Sequence, residues 1–453
     1  MESAWKTDRL RQYMRILGKS ESQSAEILEQ EGGFAAAGAC VLGPALSAFV
    51  RWVLAEAVRN GKKRLYFLAR DGYFMYQAAS VYVQKLDLPV ECRYLSCSRY
   101  SLRLPMYHLN LEEALDYICR DSIDADYTKL LNRAGLTDRE QTQVLKALGM
   151  GENPGTKIRY AQLPHIKKAL RQCPVFLELL EKHSLEAMPP LAGYLRQEGL
   201  LDGVEDALVD SGWVGSMQRT LNQLLASLGR TRPLEGYYWG LYELPEGVER
   251  NSYHCYDFSP EGQLRAKVNF NNNVFEAVFT APHGMTLGYR EEGGTFFPVY
   301  DRISREKQTA IETLEEALMG YIRRDACRMA ALDRGPRRRQ VRKLLKLFMT
   351  RPTRAESELF GSLGFCDDVL EYGNRCLAPV MTSRELGQHH VLPKLLVQTG
   401  LWKKEIRETA WYEGSVVRST PSGSYHLLQY RIYKYLLYIR QMLRWRIKHA
   451  TGK

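Results

Sequence analysis

Two short stretches of this 453-residue chain carry residue types suited to holding a phosphorylated ligand. The first is Asp210-Ser211-Gly212-Trp213-Val214-Gly215-Ser216, set directly after the apolar run Ala207-Leu208-Val209. That run suits a buried parallel strand, so Asp210 falls at a strand end. Leu221, Leu224 and Leu225 mark one face of a helix beyond it. Gly212 and Gly215 permit positive φ and let the backbone approach a ligand. Amides that open a helix attract anions, and the Ser216 hydroxyl adds a contact. The second stretch is Arg70-Asp71-Gly72, a sharp turn between the strand Arg64–Ala69 and a helix through Phe74, Ala78 and Val81. A third strand, Cys92–Ser96, ends in Ser98-Arg99. Two such turns in one sheet suit a ligand with two phosphate groups. The competing reading is a pair of ordinary strand-to-helix turns.

The elements around these turns predict an α/β fold. Strand, helix and strand within residues 64–96 form a βαβ unit, right-handed by strong default. In such sheets ligands sit at the carboxyl ends of strands, which here carry Arg70, Asp71, Gly72, Ser98 and Arg99. Residues 105–200 read as a mainly helical insertion, with Leu115, Ile118, Leu130 and Leu131 in its core. Within it, Asp124-Ala125-Asp126-Tyr127-Thr128 matches the nucleophile motif of haloacid-dehalogenase phosphatases. The polar residues Cys119–Ile123 before it do not suit the buried strand that motif needs, so it reads as a chance match. Leu234–Tyr242 is a further strand. Residues 250–300 read as loop-rich, with Glu276 and His283 in the wall of an acceptor site or, equally, in a solvated loop. A helical leader (1–33), a sheet-containing domain (34–300) and a basic, mainly helical domain (301–453) complete the expected organisation.

Composition narrows the setting. A net charge of +11 favours an anionic partner. Nine scattered cysteines, with no CxxC spacing, argue against a disulfide framework or a zinc cluster and fit a reduced cytoplasm. Phe34–Val50 is uncharged but shorter than the about 20 residues of a membrane helix, and reads as leading into a buried helix that begins at Pro44. Ser415–Lys453 contains no acidic residue. There Leu436, Ile439, Leu443 and Ile447 share a helical face beside Arg440, Arg444 and Lys448. Residues 430–449 are therefore expected to make peripheral contact with an anionic membrane surface, unless the helix is packed with a basic outer face.

The order of apolar strand, Ala69-Arg70-Asp71-Gly72, helix, strand, Arg99, then Leu208-Val209-Asp210-Ser211 and Val214-Gly215-Ser216 resembles the type I phosphoribosyltransferases. Across residues 35–370, Gly43-Pro44, Tyr66-Phe67-Leu68-Ala69-Arg70-Asp71-Gly72, Ser98-Arg99, Asp210–Ser216 and Asp367-Asp368 are similar to a bacterial surface-polysaccharide family often labelled predicted haloacid-dehalogenase hydrolases. This chain resembles the family's other module, a glycosyltransferase using phosphoribosyl pyrophosphate (PRPP). The resemblance implies a phosphoribosyltransferase-like parallel sheet and transfer of ribofuranose 5-phosphate to a lipid-linked or oligosaccharide acceptor, with a separate phosphatase acting afterwards. Arg70 and Arg99 would hold pyrophosphate, and the backbone from Gly212 through Trp213, Val214 and Gly215 to Ser216 the 5-phosphate. Asp210 would hold ribose hydroxyls. Asp71 would be the base for the acceptor, or with Asp210 would contact Mg²⁺ through the substrate. Ser211 stands where the family has a second acid, which keeps open a non-catalytic ligand sensor; a haloacid-dehalogenase-type phosphatase is the remaining alternative. The implied setting is the cytoplasm, at the inner face of the cytoplasmic membrane, and no DNA-reading helix or wing points to nucleic acid.

Overall fold

The computed structural model describes residues 2–18, 33–120, 125–150, 154–159, 162–333, 335–365, 375–398 and 406–450. Its first helix, α1 (Glu2–Leu17), is followed by a helix from Gly33 to Arg59, α2. This second helix starts well before Pro44. A π-helical turn at Gly38–Leu42 widens it where a regular helix would drive the proline ring into the carbonyl four residues back. α2 is long and apolar enough to cross a membrane, yet its most apolar stretch is 78% buried inside the protein. Gly38 and Gly43 let it touch its neighbours: a Cβ at either would lie 2.6 Å from Ala317 or Tyr321.

Strand β1 (Arg64–Leu68) is buried throughout, and leads through the Arg70-Asp71 turn into α3 (Gly72–Leu86) and then β2 (Glu91–Leu95). β3 (Asp206–Trp213) pairs with β1 on the side away from β2, with Leu65 opposite Ala207 and Phe67 opposite Val209. A helix over Ser216–Ser227 separates β3 from β4 (Glu235–Leu241), and β5 (Tyr253–Phe258) closes the sheet. All five strands are parallel in the order β2-β1-β3-β4-β5. Apolar residues run on along β1 and β3 because both faces are covered.

Between β2 and β3 lie α4 (Arg99–Arg103), α5 (Leu111–Ile118), α6 (Tyr127–Arg133), α7 (Asp138–Ala147), α8 (Leu163–Arg171) and α9 (Pro174–Gln197). They enclose a second core that includes Leu115, Ile118, Leu130 and Leu131. Asp126 caps α6, its carboxylate accepting the Lys129 amide at 2.8 Å, which is ordinary helix-start chemistry. Asp124 lies outside the described residues, as do Asp367 and Asp368. α10 (Ser216–Ser227) follows β3.

Residues 250–300 are more ordered than expected. Besides β5 they form α11 (Asn272–Val278) and an antiparallel hairpin, β6 (Thr286–Glu292) and β7 (Thr295–Tyr300). Its turn is Gly293-Gly294, both at positive φ, a hairpin signature that polar flanking residues obscured. The chain then forms α12 (Arg305–Cys327), α13 (Arg338–Thr350), α14 (Arg354–Gly361), α15 (Val391–Gln398), α16 (Tyr412–Ser419) and α17 (Ser424–Ala450). The main core crosses the expected boundaries near residues 33 and 300, joining Tyr13 of α1, Phe49 of α2, Val209 of β3 and Leu318 of α12. α1 is tied down by Arg9, whose guanidinium pairs with Glu356 at 3.0 Å, each side chain 7% exposed. So the described part of the leader is packed structure.

Candidate functional site

The strand order reverses direction between β1 and β3, and in such sheets that point opens a crevice at the carboxyl ends. A cavity of about 1540 Å³ occupies it, lined among others by Arg70, Asp71, Arg99, Asp210, Glu276 and His283. Residues from turns nearly 140 positions apart thus meet. Ser211 is 2% exposed and its hydroxyl donates to the Asp71 carboxylate. The Ser211 hydroxyl, expected to touch substrate, lines the cavity and ties β3 to the turn after β1.

Backbone strain collects here. Arg70 has φ 68° and Trp213 φ 78°, two of the four non-glycine residues at positive φ among the described residues. Such conformations cost about 1–3 kcal/mol and persist where surrounding structure enforces them. Between the strained residues, Gly212 at φ 118° has no alternative: a Cβ would stand 2.3 Å from the Gly240 carbonyl oxygen of β4.

The Arg70 conformation has a visible brace. Its amide donates to the Tyr94 hydroxyl at 3.0 Å; that hydroxyl lies 2.8 Å from His283 Nε2; His283 Nδ1 lies 2.8 Å from the Gly284 carbonyl. With Nδ1–H donating to the carbonyl, Nε2 is free to accept from Tyr94, so the ring is neutral. Burial holds the His283 pKa below its usual value, with the positive charge of Arg70 adding to the effect. His283 also stacks on Tyr300 at 4.1 Å. It lines the cavity, but both ring nitrogens are already engaged, so it braces Arg70 and leaves no nitrogen for an acceptor. Tyr94→Phe should destabilise the fold by about 1–2 kcal/mol, because the Arg70 amide loses its acceptor; urea unfolding checks this, and unchanged stability would remove the brace.

Three carboxylates share the pocket floor. Burial lifts the Asp210 pKa to about 7; the Ser211 and Gly212 amides and Arg99 oppose the rise, and Glu276 adds to it. Asp71 is pushed well above the carboxylate range by burial, then by the charges of Glu276 and Asp210. Glu276 is held by the Trp213 indole, whose Nε1–H donates to Oε1 at 2.6 Å. Trp213 lines the cavity and also sits in an aromatic cluster, 5.2 Å from Phe270, so it positions Glu276 from a packed ring.

Cations face these acids. Arg70 and Arg99 line the cavity, and neither forms an ion pair among the described residues. Sequence reasoning missed a third, Arg103. It lies one helical turn beyond Arg99 on α4, with its guanidinium 4.6 Å over the Tyr117 ring. Burial lowers its pKa, with the neighbouring charge of Arg99 adding to the effect and that of Glu113 opposing it. The four-residue spacing from Arg99 was the available signal.

Beside them, α10 starts at Ser216 with no side-chain cap, leaving its first amides unsatisfied. Val214 and Ser216 line the cavity. Gly72 and Gly215 do not, contrary to expectation. A Cβ on Gly72 would press on Phe67 at 3.1 Å, and one on Gly215 on the Tyr253 ring at 2.7 Å, so both glycines serve close packing. The helical insertion closes over the site through an ion pair of Glu113 on α5 with Arg219 on α10.

Among the described residues no group of three or more His, Cys, Asp or Glu side chains converges closely enough to hold a metal by itself. The half-buried, neighbouring carboxyls of Asp71 and Asp210 do suit a cation carried in mainly by phosphate oxygens. No protein-family model matches this chain, and no curated protein matches it.

Proposed function

We propose that the chain is a glycosyltransferase that moves ribofuranose 5-phosphate from PRPP to a glycan hydroxyl, on a phosphoribosyltransferase-like sheet. The observation that carries this reading is the meeting of Arg70 and Arg99, free of ion pairs among the described residues, with half-buried Asp71 and Asp210 at the β1–β3 switch point. In the reaction the bond from ribose C1 to the pyrophosphate oxygen breaks and a bond from C1 to the acceptor oxygen forms. The transition state is oxocarbenium-like, so catalysis depends on neutralising the leaving group and positioning the acceptor. Arg70 and Arg99 take the pyrophosphate, and the uncapped start of α10 takes the 5-phosphate. Mg²⁺, held through the phosphates with Asp71 or Asp210 at its outer edge, would supply further charge neutralisation.

In this reading the acceptor base is Asp210 in place of Asp71. Asp210, near 7, is matched to accept the acceptor hydroxyl proton at neutral pH. Asp71, its pKa raised by burial and by the charges of Glu276 and Asp210, lies beside it at the cavity floor, placed to hold a ribose hydroxyl. It also supplies the second acidic group missing at Ser211, which weighs against a mere sensor. A cavity larger than the about 300–1,000 Å³ of ordinary ligand pockets leaves room for donor and acceptor together.

Titration calorimetry tests this. PRPP should bind, more tightly with Mg²⁺, and pyrophosphate should compete. Absence of PRPP binding, with and without Mg²⁺ and with oligosaccharide acceptor present, would overturn the proposal.

A further inference from the structure

The outer face of α17 is apolar and exposed. Leu428, Ile432, Leu436, Ile439, Leu443 and Ile447 recur every three or four residues and are between 41% and 64% exposed. On a helix that spacing confines them to an arc of about 100°. Tyr425, 60% exposed, extends the stripe by a turn, and Leu392 of α15, 66% exposed, stands beside that end. The two helices are joined there by His390 and His426, whose ring nitrogens lie 2.8 Å apart. The exposed stripe therefore begins before residue 430 and includes a second element.

The inner face is anchored. Lys434 is 5% exposed, donating to the Phe270 carbonyl at 3.2 Å and to Glu413 at 3.3 Å. Tyr438 stacks on Tyr242 at 5.2 Å, and Gln441 donates to Glu243 at 3.0 Å. Tyr242 and Glu243 directly follow β4, so α17 runs along the carboxyl edge of the sheet, the edge that carries the cavity.

We infer that this stripe docks on an anionic lipid surface and holds the carboxyl edge of the sheet against it. Charge selects the occupant. Arg440 and Arg444 flank the stripe on one side and Arg446 on the other, and none of them has an ion pair among the described residues. Residues 415–453 contain no acid. A second copy meeting this face through a two-fold axis would set arginines against arginines, whereas anionic headgroups neutralise them while the apolar arc enters the interface.

Flotation of the full chain with vesicles of phosphatidylglycerol or of phosphatidylcholine tests the inference. Wild type should float with the first and largely remain behind with the second. Arg440→Glu with Arg444→Glu should lower partitioning at least about 25-fold, since each cation near the surface is worth about fivefold. Leu436→Ser with Ile439→Ser and Leu443→Ser should lower it further; these sites are exposed, and circular dichroism verifies the helix. Failure of wild type to float with phosphatidylglycerol, equal flotation of either variant, or a wild-type dimer in light scattering that the triple variant splits would each overturn it. No cavity residue is involved, so the transfer reaction can fail its own test while this stands.

Discussion

Asp210→Asn should lower sugar transfer about a thousandfold, within the range for losing a general base, while leaving PRPP binding within a few-fold of wild type. Asparagine keeps the shape and can still accept the Ser211 amide, which lies 2.9 Å from Asp210 Oδ1, but it cannot take a proton. Single-turnover transfer to an oligosaccharide, beside calorimetry of the same protein, separates the two effects. Transfer at wild-type rate would remove Asp210 from the chemistry. The wild-type rate should also rise with pH through about 7, where Asp210 ionises in the free protein, and residual transfer by the variant should lack that step.

The same substitution should raise stability. The folded Asp210 carboxyl has its pKa lifted from 3.8 to about 7, so between those values the folded protein keeps a proton that the unfolded chain releases. With more protons bound in the folded state, unfolding free energy falls as pH rises through that window, and the loss is complete above it. Asparagine does not ionise and escapes the loss. Asp210→Asn should therefore be more stable than wild type at about pH 8, by up to about 4 kcal/mol for a pKa lifted from 3.8 to about 7, and the gap should close towards pH 4. Urea unfolding across that range reads it directly. A gap of opposite sign at about pH 8 would mean that Asp210 is ionised comfortably and is not poised near neutrality.

What could be read from sequence was local. β1 and the start of β3 announce themselves as apolar runs, and Asp71 follows just past the end of β1; β3 does not end at Asp210 as expected but pairs with β4 on to Trp213. The brace through Tyr94 and His283 joins residues 189 positions apart, and the Trp213–Glu276 contact joins residues 63 apart. Neither leaves a periodic trace, so the positioning parts played by Trp213 and His283, both in the cavity wall, were hidden. Gly72 and Gly215 misled for a related reason: a glycine beside a site has the same sequence signature whether it admits a ligand or a neighbouring ring. The packing of α1 against Glu356 was likewise hidden, since its apolar positions Leu10, Tyr13 and Met14 are too few to stand out in a polar segment. Positive φ at Arg70 and Trp213 was invisible, because neither residue type favours it.

That hidden strain supports the second large prediction. Arg70→Ala and Arg70→Gly both remove the guanidinium and should weaken pyrophosphate binding about a hundredfold, the equivalent of two charge-assisted hydrogen bonds. They should differ in stability. Alanine inherits the cost of φ 68°, whereas glycine adopts it freely. After allowance for glycine's greater freedom in the unfolded chain, Arg70→Gly should be the more stable by about 1 kcal/mol. Thermal unfolding of the pair, beside pyrophosphate calorimetry, gives both numbers. Equal loss of binding with glycine the more stable would mean that an arginine occupies a strained position because its charge is needed there. Wild-type binding by either variant would place the pyrophosphate away from β1. If alanine were as stable as glycine, the chain would relax out of the left-handed region once the arginine is gone, and the Tyr94–His283 brace would not enforce that conformation.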